Sequence, residues 1–168
     1  MDSRNVVLIG FMGTGKTSVG KILARRLGRP VVDIDSRIEQ TQKRKISDIF
    51  EKDGEAFFRK IEKETIVSVA KEEGLVITTG GGAALDPDNL LALREHGILV
   101  SLLASPETIF SRVKHSRHRP LLRTHAVFLE IQKLLEKRAP LYEKADMCFH
   151  TDGKTPLQVA ELILEKLG

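Results

Sequence analysis

Gly10-Phe11-Met12-Gly13-Thr14-Gly15-Lys16-Thr17 fits G-x-x-x-x-G-K-[ST] without a mismatch. Such a loop turns successive backbone N–H groups inward around a polyphosphate. Its Lys reaches the β- and γ-phosphates and its Ser/Thr hydroxyl ligates Mg²⁺. Asn5-Val6-Val7-Leu8-Ile9 precedes it, a short apolar run that reads as a strand buried on both faces. After it, Val19, Ile22, Leu23 and Leu27 recur at the spacing of an amphipathic helix from Lys16 to Leu27. Strand, glycine turn and helix is the arrangement a phosphate-binding loop requires, since the helix N-terminus adds its dipole to the anion site. The chain is therefore expected to bind a nucleoside triphosphate.

The 168 residues, 41% of them hydrophobic, suffice for one globular domain spanning 1–168 with a substantial core. The single cysteine, Cys148, rules out an intrachain disulfide and suits a reducing cytoplasm. No signal peptide is expected, because the apolar stretch from Val6 to Met12 is short, follows Asp2 and already serves the loop. No apolar run is long enough to span a membrane. A net charge of +4 suits nucleic acid or small anions equally. The positive charge is concentrated: Arg112, Lys114, His115, Arg117, His118, Arg119, Arg123 and His125 fall in a stretch, Thr108 to Leu129, without one acidic residue. That stretch has aromatic residues only near its margins, Phe110 and Phe128, which argues against a stacking platform for single strands. Its histidines have no Cys or carboxylate close by to complete a zinc site.

Strand-like runs at Val6–Gly10, Pro30–Ile34, Leu75–Thr79, Ile98–Leu103 and Met147–His150 alternate with helical stretches. The helices are expected at Lys16–Leu27, Ser36–Lys43, Ser47–Lys52, Glu55–Glu73, Pro87–Glu95, Pro106–Lys114, Phe128–Tyr142 and Pro156–Leu167. Pro87, Pro106 and Pro156 stand where a first helical turn accepts proline. Ser36-Arg37-Ile38-Glu39 reads as a capping box, which would start a helix directly after Asp35. Alternation of this kind means βαβ units, a parallel sheet and helices on both faces, with ligands at the carboxyl ends of the strands.

Chemistry is therefore sought just after each strand. Asp33 and Asp35, two apart on the second strand, should project to the same side. One could support Mg²⁺ through water while the other accepts a hydroxyl proton from a substrate. Gly80-Gly81-Gly82 after the third strand allows the backbone to approach a ligand closely, or is merely a turn. Arg59 in a charged helix and the Lys137-Arg138 pair would pass for solvated surface charge on spacing alone. The basic segment of about 112–125, with Arg119-Pro120-Leu121-Leu122, lies between two helices, where a phosphotransferase carries a lid that brings arginine over the phosphates and excludes water.

Taken together, Gly-Phe-Met-Gly-Thr-Gly-Lys-Thr at 10–17, Asp-Ile-Asp at 33–35, Asp-Gly-Glu-Ala-Phe-Phe-Arg at 53–59, Gly-Gly-Gly at 80–82, Arg-Pro-Leu-Leu at 119–122 and Arg-Ala-Pro-Leu-Tyr at 138–142 resemble the shikimate kinase family, in order and from about residue 5 onward. The resemblance implies a three-layer α/β/α P-loop fold of nucleoside-monophosphate-kinase type, with a five-stranded parallel sheet in the order 2-3-1-4-5. It implies phosphorylation of shikimate by ATP to shikimate 3-phosphate and ADP, on the route to chorismate and the aromatic amino acids. Gly13, Thr14, Gly15, Lys16, Thr17 and Ser18 would hold the nucleotide phosphates. Thr17 would ligate Mg²⁺, and Asp33 would support the metal through water. Asp35 would bind the ring hydroxyls and act as base. Arg59 and Arg138 would grip the substrate carboxylate beside the Gly80, Gly81 and Gly82 backbone. Arg119 would descend from the lid, Arg112 would flank the adenine, and Lys154 with Pro156 would touch the base. The helices of about 36–62 would form the substrate-binding part. A monomer using ATP, Mg²⁺ and a small substrate, with no nucleic acid and no membrane, is expected.

The chemistry of the residues agrees with that resemblance. A small hydroxylated carboxylate calls for arginines, an acceptor carboxylate and backbone donors. Gluconate has the same character, so another small-molecule P-loop kinase is the nearest rival. A nucleotide-sensing module without turnover is a second, set against the intact Lys16, Thr17, Asp33, Asp35 and Arg119. The histidines around the lid suggest a response to pH near 6–7.

Overall fold

The computed structural model describes residues 2–114 and 125–168, apart from the side chain of Lys114. In chain order the elements are β1 (Asn5–Gly10), α1 (Lys16–Leu27), β2 (Val31–Asp33), α2 (Ile34–Gln42), α3 (Ile46–Ala70) and β3 (Val76–Thr78). A 3₁₀ turn (Ala83–Leu85), α4 (Pro87–Glu95), β4 (Gly97–Leu103), α5 (Pro106–Lys114), α6 (His125–Tyr142), β5 (Met147–His150) and α7 (Pro156–Leu167) complete them. The five strands form one sheet in the order β2-β3-β1-β4-β5, and every pairing is parallel. The expected order and strand direction are thus observed.

Every residue of β1 is buried, as an unbroken apolar strand at the centre of a parallel sheet should be. Its alternating side chains serve two cores. Val7 and Ile9 pack with Ile38, Ile66, Leu93 and Ile131 under α2, α3, α4 and α6. Val6 and Leu8 pack with Val19, Leu23, Val159 and Ile163 under α1 and α7. Each such side chain, taken out of water, contributes about 1.5–3 kcal/mol. Gly20 allows α1 to lie close on the sheet, for a Cβ there would sit 2.5 Å from Thr78 Cγ2. That approach fixes the helix whose first turn follows the phosphate loop. The loop itself emerges from β1, between β3 and β4, at the switch point where ligands bind in such sheets.

The proline-led helices begin as expected: Pro87, Pro106 and Pro156 each open a helix. The break expected near residue 54 is also present, since Gly54 (φ 83°, ψ 173°) interrupts the helical path of α3. The start of α2 differs from expectation. It begins at Ile34, and its cap is Asp33, whose Oδ1 accepts from the Ser36 N–H at 2.8 Å. Glu39 turns away from the Ser36 backbone and accepts from Ile46 N–H at 3.1 Å, tying α2 to the start of α3. The capping box read at Ser36–Glu39 is therefore absent. Thr155 and Gln158 form one instead, at the head of α7. Strands β2 and β3 are shorter than the apolar runs that announced them, and α6 starts three residues earlier than expected.

Candidate active site

The phosphate loop is held in shape by its own backbone. Gly13 (φ 77°) and Gly15 (φ 97°) occupy the left-handed region, which residues with a Cβ rarely enter. Thr14 is buried and its hydroxyl donates to the Phe11 carbonyl at 2.8 Å. Lys16 curls back into the loop, where Nζ donates to the carbonyls of Gly10 (2.6 Å) and Phe11 (2.9 Å). Burial pulls its ammonium down to about 8, against the pull of Asp35 and Asp33. An anion set in the loop would restore the charge's favoured surroundings, so the lysine is primed for phosphate. Thr17 and Ser18 stand exposed in the first turn of α1.

Asp33 and Asp35 come together by a different route from that expected. Asp33 ends β2, while Asp35 lies in the first turn of α2, so the chain's change from strand to helix brings them close rather than alternation along one strand. Asp33 Oδ2 accepts from Thr78 Oγ1 at 2.7 Å, which anchors it to β3. A cleft of about 250 Å³ is lined by Thr17, Asp33, Ser36 and Thr78 among others. Asp35 is more deeply set. Its carboxyl is pushed up to about 6, first by burial and then by the charges of Asp33 and Glu62, with Lys16 opposing. Asp35 Oδ1 is buried without a hydrogen-bond partner, an acceptor aimed at nothing in the protein itself. Gly80 makes this possible, because a Cβ there would lie 3.1 Å from that oxygen.

Arg59 is not the solvated surface charge that its helix suggests. Nη1 donates to Glu62 Oε1 at 2.9 Å, Nη2 reaches Glu55 Oε1 at 3.5 Å, and the guanidinium lies 5.2 Å from the Phe58 ring centre. The Glu62 side chain is only 2% exposed. Burial raises its carboxyl and the Arg59 charge counters that. The guanidinium packs against the α-carbon of Gly82, where an added Cβ would come within 2.7 Å of Nη1. Arg138 sits on the other side, 5.4 Å from the ring centre of Phe11 in the phosphate loop. Tyr142, one turn further along α6, donates from its hydroxyl to the Gly81 carbonyl at 2.7 Å. The triple-glycine turn thus has Asp35 on its first residue, the phosphate loop and Tyr142 on its second, and Arg59 on its third.

Arg112 bridges two loops. It donates to the Gly13 carbonyl at 3.1 Å and to the hydroxyl and carbonyl of Thr151 at 3.0 and 3.1 Å. With Gly153, Lys154 and Thr155 it lines an open groove of about 520 Å³ beside the phosphate loop. Asp152 braces that loop by accepting from Ser105 N–H at 2.9 Å, and hydrogen bonds from Thr108 and Ser105 outweigh the effect of burial to hold its carboxyl down at about 2. Arg119 and nearly all of the expected lid lie outside the described residues. Three contributors were given no role from the sequence: Glu62, Thr78 and Tyr142. Tyr142 closes the Arg-Ala-Pro-Leu-Tyr motif at 138–142, and Glu62 left only its i, i+3 spacing from Arg59, which any charged helix could show.

A phosphate loop, a half-buried carboxylate with an unpartnered oxygen and two arginines around a glycine turn, on a 2-3-1-4-5 sheet, define a P-loop small-molecule phosphotransferase. A profile of the family described as shikimate kinase matches residues 12–168. A shikimate kinase of Thermodesulfovibrio yellowstonii is 48% identical over 97% of this chain and 94% of its own. One from Persephonella marina is 43% identical over 98% of this chain and 99% of its own. The solved structure of the Acinetobacter baumannii shikimate kinase in complex with shikimate superposes with a TM-score of 0.91, at 36% identity, over 98% of this chain and 93% of that one. The chain belongs to the shikimate kinase family.

Proposed function

We propose that this chain transfers the γ-phosphoryl group of ATP to the 3-hydroxyl of shikimate, releasing shikimate 3-phosphate and ADP for chorismate and aromatic amino acid synthesis. The observation that carries the reading is Asp35: a half-buried carboxylate, one oxygen of which is buried without a partner, standing between the phosphate-loop lysine and the Arg59 side of the glycine turn. A polyol hydroxyl is the donor such a carboxylate lacks. Asp35 accepts the hydroxyl proton as the hydroxyl oxygen bonds to the γ-phosphorus. The bond from that phosphorus to the β–γ bridging oxygen breaks, and ADP leaves with the negative charge. Lys16, released from its two carbonyls onto the phosphates, supplies charge neutralisation, with backbone N–H groups of Gly13 to Ser18 around it. Arg119, from the lid of about 112–125, is assigned to the same phosphates.

Arg59 and Arg138 take the substrate carboxylate in this scheme, while Gly80 to Gly82 present backbone at close range. The substrate-binding helices are those of about 36–62. Arg112 and Lys154 flank the base, since they line one groove beside the phosphate loop. The Mg²⁺ of the nucleotide fits the donors here: the exposed Thr17 hydroxyl and the Asp33 carboxylate share a cleft, as a metal held mainly by phosphates and water requires. Among the described residues no cluster of three or more His, Cys, Asp or Glu could hold a metal alone. Bound Mg²⁺ supplies neutralisation of the phosphate charge. Monomeric action in the cytoplasm, without nucleic acid or membrane, is part of the proposal. In support, no helix among the described residues is long and apolar enough to cross a membrane.

The test is ADP release in a coupled assay with Mg·ATP and shikimate, alongside gluconate, a nucleoside monophosphate and no acceptor. Turnover with shikimate alone is expected. Turnover with another acceptor in its place would overturn the assignment of Asp35, Arg59 and Arg138.

A further inference from the structure

We infer that Tyr142 is a positioning residue for the substrate carboxylate, its hydroxyl tying the helix that carries Arg138 to the triple-glycine turn so that the two sides of the binding site move as one. This rests on the proposed function, since it concerns the same carboxylate. Tyr142 is 2% exposed at the end of α6, and its hydroxyl donates to Gly81 O at 2.7 Å. Arg138 stands one helical turn back on α6, on the face that carries Tyr142. The phenol gives its one proton to the Gly81 carbonyl. Burial raises the phenol and the Arg138 charge opposes that.

The consequence follows along the chain. The carbonyl held by Tyr142 belongs to the peptide that leads into Gly82, and the Gly82 α-carbon is the surface on which Arg59 rests. Arg138 is fixed on its other side by the Phe11 ring of the phosphate loop. The bond from Tyr142 to Gly81 therefore ties the seat of Arg59 to the helix that carries Arg138. Without it the Gly81 carbonyl loses its only described side-chain donor, and that helix loses its hydrogen bond to the turn. Neither group bonds to Lys16 or lines the nucleotide groove, so the larger effect should fall on substrate affinity rather than on phosphoryl transfer.

Two measurements test this. Tyr142→Phe keeps the ring and its packing and removes only the oxygen. Its KM for shikimate should rise about 3- to 10-fold, the worth of one or two hydrogen bonds. kcat should stay within about twofold and the KM for ATP should change less than that for shikimate. An unchanged KM for shikimate, or a loss confined to kcat, overturns the inference. The second uses the unaltered protein, which has one tyrosine and no tryptophan, so its tyrosine emission comes from this site alone. Shikimate should change that emission saturably, with a midpoint matching its affinity, as a carboxylate binds to Arg138 one helical turn from the phenol. Flat emission at shikimate concentrations that saturate turnover overturns the inference as well. If the unaltered enzyme does not use shikimate at all, it is the proposed function that fails. If it does and Tyr142→Phe matches it, only the role of Tyr142 fails.

Discussion

Replacing each glycine of the 80–82 turn by alanine should produce three different kinetic defects, because each α-carbon abuts a different part of the machinery. Gly82 has φ −95° and ψ −4°, a conformation open to alanine, so the substitution adds no backbone strain. The new methyl would lie 2.7 Å from Nη1 and 2.8 Å from Cζ of Arg59, and closer still to Nη2. Ordinary contact begins near 3.4 Å, so the guanidinium must retreat by roughly 1 Å. A flexible side chain can do that at little cost to folding. Its charge-assisted bond to a carboxylate cannot survive the move, which is a loss of about 1.5–3 kcal/mol, or roughly 10- to 100-fold in KM for shikimate. Gly80→Ala presses on Asp35 at 3.1 and 3.3 Å and should lower kcat instead. Gly81→Ala meets the backbone nitrogen of Met12 at 3.1 Å, which cannot swing aside, so the phosphate loop moves and ATP binding suffers too. Steady-state kinetics with both substrates varied, together with melting curves to exclude unfolding, separate the three. Gly82→Ala with an unchanged KM for shikimate, or with KM for ATP raised equally, would refute the placement of Arg59 on the substrate.

Lys16→Ala should abolish measurable turnover while the melting temperature stays level or rises, because a buried ammonium is removed; retained activity would remove the phosphate-loop assignment. kcat/KM for shikimate should fall about tenfold per pH unit as pH drops below about 6, when the free enzyme's Asp35 takes up a proton, and a flat profile would end its role as base. Asp35→Asn should cut kcat far more than ATP affinity, yet stabilise the fold near neutral pH. The wild-type carboxyl, raised from 3.8 to about 6, favours the folded state in its protonated form, so its contribution is full below pH 4 and lost as pH rises through 6. The gain in thermal denaturation should be on the order of 2–3 kcal/mol above pH 7 and disappear below pH 4. Arg138→Ala should raise the KM for shikimate and spare that for ATP, and a collapse of ATP affinity would reassign that arginine to the nucleotide.

How much of this was legible in the sequence depends on whether a residue's role is set by its neighbours in the chain or by its neighbours in space. The phosphate loop belongs to the first kind: Gly13 and Gly15 must enter left-handed backbone, and Lys16 and Thr17 must open a helix, so geometry dictates identity within eight residues. The parallel sheet belongs there as well, through the alternation of strands and helices, whereas the strand order followed only from the resemblance to a known family. Asp33 and Asp35 were legible for a reason that the structure replaces. Alternation on a strand predicted that they would meet, whereas Asp33 is the helix cap and Asp35 sits inside the first turn. The misread capping box and the misplaced strand end are one error, since a Ser-x-x-Glu spacing cannot show that Glu39 has a better partner in Ile46 N–H. Arg59 and Arg138 are of the second kind. Their settings come from Gly82 and Phe11, at 23 and 127 residues' remove, so no local spacing marks them. The same holds for Tyr142, whose hydroxyl meets a carbonyl 61 residues away. What distinguishes these residues from surface charge is the tertiary contact of a side chain with a bare α-carbon, an aromatic face or a carbonyl. Where Gly80–Gly82 alone allowed either a close backbone approach to a ligand or a mere turn, the fold packs Asp35, the phosphate loop and Arg59 against the three bare α-carbons, and that is why the alanine scan of those positions tests the arginines and the base more directly than replacing them would.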